Sequence, residues 1–106
     1  MADAFGVLAK GQLPSSTAVL YTVPASTAVI IKNIKWTEVT GAGGPYTVEM
    51  FIGGADPDDQ WQRFTLDDRE AAEWDGTLAL EAGQTLRGKA SSASKITYII
   101  SGDEVT

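Results

Sequence analysis

Apolar and polar residues alternate along much of this chain with a period of two, the spacing of a β-strand that turns one face inward. The longest such stretch is residues 28–39 (AVIIKNIKWTEV). Strict alternation predicts Ile30, Ile34 and Trp36 on one face, with Lys32 between them, and Val29, Ile31, Asn33, Lys35 and Thr37 on the other. In residues 46–52 (YTVEMFI), Tyr46, Val48, Met50 and Ile52 oppose Thr47, Glu49 and Phe51. Leu86, Gly88 and Ala90 alternate in residues 84–90, and Ile96, Tyr98 and Ile100 in residues 95–100. Residues 17–23, 60–66, 71–75 and 77–81 are shorter segments of the same character. Only residues 67–74 (DDREAAEW) are good helix formers, and at two turns' length they read as at most one short helical turn in a loop, or simply as the approach to a strand.

Breakers separate these segments. Pro24 fixes φ and removes a ladder donor, so the strand before it ends. Gly41-Ala42-Gly43-Gly44-Pro45, the loop 53–59 (GGADPDD), Gly76, the turn 81–83 and the small residues 91–94 punctuate the rest. Gly102 reads as a bulge, after which Val105 turns inward. Seven to nine short strands with turns near every ten residues predict an all-β fold: a single antiparallel β-sandwich, jelly-roll or immunoglobulin-like. Residues 5–13 alternate weakly and hold two glycines, so residues 1–16 are expected to be an N-terminal arm or edge strand, and residues 17–106 the sandwich. Ser16-Thr17-Ala18-Val19 recurs at positions 26–29, which marks similar strand starts and not a repeat architecture.

Composition narrows the function. At 106 residues, 43% hydrophobic and 21% charged, there is room for one core. No apolar run is long enough to span a membrane, and residues 1–10 carry no readable signal peptide. Cysteine is absent, which excludes disulfides, thiolate nucleophiles and zinc–thiolate sites. Histidine is absent too, which removes the commonest general base, transition-metal ligand and near-neutral pH switch. These absences lead us to expect a protein that is not an enzyme and needs no cofactor.

Eight bases against fourteen acids give a net charge of −6. Residues 56–81 hold nine of the acids and two of the bases, a net −7; the remaining six bases and five acids nearly cancel. Nucleic acid is not an expected partner, because phosphate binding needs a basic stripe. The acidic block reads either as a solvated face or as a docking surface for a basic partner or a cation.

Specific chemistry finds little support. Asp56-Pro57-Asp58-Asp59 invites calcium, but counting from Asp56 the glycine position of a calcium loop holds Trp61 and the twelfth holds Asp67. Carboxylate pairs are plentiful, yet spacing in sequence says nothing of the separation that glycoside hydrolysis needs. The glycines at 41–44 lack the lysine and helix of a phosphate-binding loop. Trp36, on the strand face predicted to carry Ile30 and Ile34, reads as core. Trp61 and Trp74 sit in polar surroundings and read as core or subunit contacts, or as contacts with a partner or a sugar.

Leu20-Tyr21-Thr22-Val23-Pro24-Ala25, Thr27-Ala28-Val29-Ile30-Ile31-Lys32-Asn33-Ile34, the glycine-rich break, Glu73-Trp74-Asp75-Gly76, residues 78–87 (LALEAGQTLR), Ala90-Ser91 and Ile100-Ser101-Gly102 together resemble a pattern in small virion accessory proteins of tailed bacteriophages. The resemblance covers residues 20–106 apart from the loop at residues 53–64, which lies outside the pattern. It implies a non-enzymatic β-sandwich of the capsid or tail that associates with itself and with a major virion protein. The expectation is a capsid decoration (cement) protein on the virion surface, assembled in the reducing host cytoplasm. It would bind the major capsid protein as a homo-oligomer, with a trimer favoured. Candidate contacts are Phe5, Val7 and Leu8 in the N-terminal segment, Asp56, Asp58, Asp59 and Trp61 around the loop, and Trp74. The alternatives are a tail, neck or fibre component of the same particle, and a carbohydrate-binding module built on Trp61 and Trp74.

Overall fold

The computed structural model describes residues 3–54 and 59–105, with side chains from Gly6 onward. Eight strands form, and no α-helix is present among the described residues: β1 (Asp3–Gln12), β2 (Ala18–Thr22), β3 (Ala28–Glu38), β4 (Tyr46–Ile52), β5 (Gln60–Leu66), β6 (Ala71–Leu80), β7 (Thr85–Ala90) and β8 (Ile96–Val105). They make two antiparallel sheets of four, ordered β1-β8-β3-β6 and β2-β7-β4-β5. We call these sheet A and sheet B. Every connection except β4 to β5 crosses from one sheet to the other. That interleaving is a jelly-roll, so of the two sandwich topologies the sequence left open, this is the one adopted.

The core lies between the sheets. Val29, Ile31, Ile34, Trp36, Leu80, Ile96, Tyr98 and Ile100 face it from sheet A; Tyr46, Val48, Met50, Leu66 and Leu86 face it from sheet B. Leu13 and Val23 close the ends of the first two strands from fully buried positions. Trp36 packs edge-on against Phe64, with ring centroids 4.7 Å apart.

Three elements depart from the alternation read along the chain. In β3 the inward residues are Val29 and Ile31, then Ile34, Trp36 and Glu38. Ile30 therefore does not share a face with Trp36. Lys32 is an extra residue in the ladder: Ile31 pairs with Gly102 and Asn33 with Ser101, so the strand changes phase there. The predicted break at Gly76 is also a bulge. Residues 71–80 form one strand, in which Gly76 and Thr77 are skipped between the pairs Asn33–Asp75 and Ile31–Leu78. Finally, residues 67–70 form a tight turn and residues 71–74 already belong to β6, so of the two readings of this stretch it is the approach to a strand that is adopted and not the helical turn; two strands and their pairing override local propensity.

The bulges align across sheet A. Leu8 of β1 is the extra residue between the pairs Val7–Ser101 and Ala9–Ile100, level with Lys32. Gly102 is the hinge point: a Cβ there would press into the Ile30 carbonyl and lie 2.9 Å from the Ile31 Cα. The bulge expected near Gly102 thus falls on the two strands flanking β8. Val105 at its end is half-buried.

Candidate interaction surfaces

The described residues among those singled out from the sequence fall on two opposite edges of the sandwich. Sheet A begins with β1 and ends with β6; sheet B begins with β2 and ends with β5. Val7 lies on the β1 edge and is 60% exposed, the most exposed of the large hydrophobic residues among those described. Leu8, the bulge residue beside it, packs against the core instead. Phe5 pairs with Asp103 in the ladder; its side chain lies outside the described residues. β1 is hydrogen-bonded to β8 along one side only, which leaves its other side as a sheet edge.

At the opposite edge, Trp61 and Trp74 meet. Their ring centroids are 5.1 Å apart with planes at 86°. Trp61 is a bulge residue of β5, between the pairs Met50–Gln62 and Phe51–Gln60, and the bulge turns it toward the other sheet. Trp74 folds over Gly76, where a Cβ would lie 2.8 Å from its Cζ2. Both rings are half-buried against the core, so the pair clasps β5 to β6. Each ring presents its edge or face to the other, and they do not form a flat double platform. The indole N–H of Trp61 is buried without an acceptor among the described residues, as is that of Trp36.

Asp56 and Asp58 lie outside the described residues. Asp59, half-buried, sets its carboxylate over Gly54. Among the described residues no three acidic side chains converge as a metal-holding group, and no pocket opens.

Two groups of functional character escaped the sequence reading. The first is Glu38, 1% exposed at the end of β3. Its carboxylate accepts the backbone N–H of Gly41 at 2.7 Å and that of Arg69 at 3.0 Å, and the Thr40 hydroxyl. The Arg69 N–H, then the Thr40 hydroxyl, hold its pKa down, from 4.5 to about 2, against the opposing effect of burial. Glu38 thereby ties the 41–44 loop to the 67–70 turn. Gly44 N–H donates to Asp68 Oδ1 at 2.8 Å alongside it. The available signal is an acid two residues before Thr40 and three before the glycine run, at the end of an alternating strand pattern.

The second is the outer face of sheet B. Glu49 sits between Arg63 and Lys89, which are its direct cross-strand neighbours, with both ion pairs at 3.4 Å. In the next row Arg87 lies between Val19 and Phe51. Among the described residues, the strands of this face carry three bases and one acid outward. Sequence alone could not assemble it, because the four residues come from three strands whose pairing was unknown. Elsewhere, Tyr21 of β2 donates to Glu104 of β8 at 2.9 Å and so links the sheets near the β1 edge. Burial first, and then Glu104, push the Tyr21 hydroxyl up to about 12.

No protein-family model matches the chain, and no curated protein matches it. Among solved structures the chain is similar to one from the Bacillus endospore appendages, a novel family of disulfide-linked pili. The TM-score is 0.55 at 12% identity, over 99% of this chain and 87% of that one. At that identity the likeness is one of fold.

Proposed function

We propose that this protein is a non-enzymatic structural subunit of a bacteriophage particle, a decoration protein that binds the major capsid protein and stabilises the head. The observation that carries the reading is β1: a ten-residue edge strand with one side of its ladder unpaired and Val7 exposed upon it. Natural proteins shield such edges unless another chain covers them, and strand addition supplies both backbone hydrogen bonds and pockets for alternate side chains. The phage-like pattern over residues 20–106 and a composition without histidine or cysteine support the same reading. The similar Bacillus chain belongs to pili linked by disulfides. A cysteine-free chain has no such linkage, so here cohesion is non-covalent, through a homo-oligomer for which a trimer is the favoured state.

Heads lacking the protein, mixed with the purified chain and imaged by electron microscopy, test this. Regular occupancy of the shell is the expected result, reduced by Val7→Asp, which puts a charge on the exposed edge. Density at the tail alone would replace the cement role with that of a tail adaptor, and no binding to any particle would refute both.

A further inference from the structure

The charge of this molecule is segregated, and the two halves of the segregation are complementary. The outer face of sheet B bears Arg63, Arg87 and Lys89 around the single acid Glu49, a net +2. The rest of the chain is then −8, since the whole is −6. Part of that excess sits in the exposed β5–β6 turn, a net −2 from three acids and Arg69, where Asp67, Asp68 and Glu70 make no ion pair among the described residues. These carboxylates accept from backbone N–H groups instead: Asp68 Oδ1 from Gly44 N, Asp67 Oδ1 from Asp68 N and Glu70 Oε1 from Asp67 N. That hydrogen bonding fixes the turn and leaves its net negative charge exposed. Arg63 is well exposed despite its ion pair, and Val19, 46% exposed, adds apolar surface beside Arg87.

We propose that the outer face of sheet B docks the acidic 67–70 turn of a second copy of this chain. This deepens the self-association part of the functional reading and names its two surfaces. The contact is heterologous, because one patch meets a different patch on its neighbour; such contacts close into a ring when the rotation between copies allows, and a trimer is a ring of this kind. Turn and face lie in the same chain, so every copy in the ring supplies one of each. Opposite charges across the contact steer encounter and set the register, and salt weakens them.

The test uses the intact protein and two sets of substitutions. One inverts the face: Glu49→Lys with Arg63→Glu, Arg87→Glu and Lys89→Glu, which keeps the cross-strand pairs opposite in sign and so protects the fold. The other inverts the turn: Asp67→Lys with Asp68→Lys. Sedimentation velocity is read in low and high salt. The wild type associates in low salt, and each variant alone associates at least about tenfold more weakly, the scale of losing an interfacial charge pair. An equimolar mixture of the two associates more strongly than either variant alone, because the inverted face of one meets the inverted turn of the other; in a ring of three, two of the three contacts are then complementary and the third is not, so recovery is partial. Recovery also shows that both variants fold. The milder Asp67→Asn with Asp68→Asn keeps the acceptors of the turn and should weaken association in the same direction.

A face-inverted protein that associates as the wild type does, a mixture that associates no more strongly than either variant alone, or a wild type monomeric in low salt overturns the proposal. Loss of head binding in the face-inverted variant with its oligomeric state unchanged gives the face to the capsid, and overturns it too. Charge-following association with no capsid present supports it whatever the heads themselves bind.

Discussion

At the residue scale, Glu38 shows how a buried carboxylate is tolerated without a cation. Backbone N–H groups and one hydroxyl surround it, and their partial charges favour the ionised form. Its folded pKa, about 2, lies below the ordinary 4.5. A group depressed in this way contributes stability above its unfolded pKa and loses it as pH falls through the folded one. Denaturant unfolding of the wild type should therefore weaken between about pH 4.5 and pH 2 more than that of Glu38→Gln. At pH 7 the variant is the less stable of the two, because a neutral amide brings two donors to a site that offers only donors. Equal slopes over the acid window would remove Glu38 as the cause. Tyr21 has the opposite sign: its raised pKa contributes stability below about 10, lost as pH rises toward about 12, and Tyr21→Phe should flatten that alkaline limb. Gly102 is a steric case. Alanine there must displace the backbone of β3 at its bulge, and a loss of about 3 kcal/mol is expected on thermal unfolding, the upper part of the range for overpacking.

At the element scale, the sandwich is fastened at both edges by side chains that cross between sheets: Tyr21 with Glu104 on one side, Trp61 with Trp74 on the other. A double-mutant cycle with Trp61→Leu and Trp74→Leu should return a coupling of about 1 kcal/mol beyond the lost area, as edge-to-face aromatic pairs do. Additive losses would mean that the rings merely fill space. What could be read in advance follows from this layout. Strands β4, β7 and β8 hold strict alternation through their core-facing stretches, and their inward residues were legible one by one. In β3 and β6 the alternation breaks at Lys32 and Gly76, and a bulge leaves no mark in the sequence that separates it from a phase error or a turn. Trp61 and Trp74 were recognised as special, but their mutual contact depends on which edge strands end up side by side. The basic face was invisible for the same reason, whereas the acidic turn, contiguous in sequence, was plain.

At the scale of the whole molecule, the strand order decides how the chain must fold. Only β4 and β5 are neighbours both in sequence and in a sheet; every other pairing joins distant segments. Closing such loops before any contact is gained costs entropy, so refolding in milliseconds to seconds is expected, as for other non-local β proteins. The two termini matter unequally. β1 is an edge strand, held by β8 alone, while β8 runs between β1 and β3 and carries Ile96, Tyr98 and Ile100 into the core. Removing residues 1–10 takes away one edge and uncovers the side of β8; a folded but less stable protein prone to self-pairing should result. Ending the chain before Ile96 removes the centre of sheet A, leaves β1 without a partner and opens the core. That fragment should lack the near-ultraviolet signal of its packed aromatic rings, and its amides should exchange without protection. A cooperative melt in the fragment lacking β8 would show that sheet B and the β3–β6 pair suffice for the fold, and that β8 is not the strand that locks the sandwich.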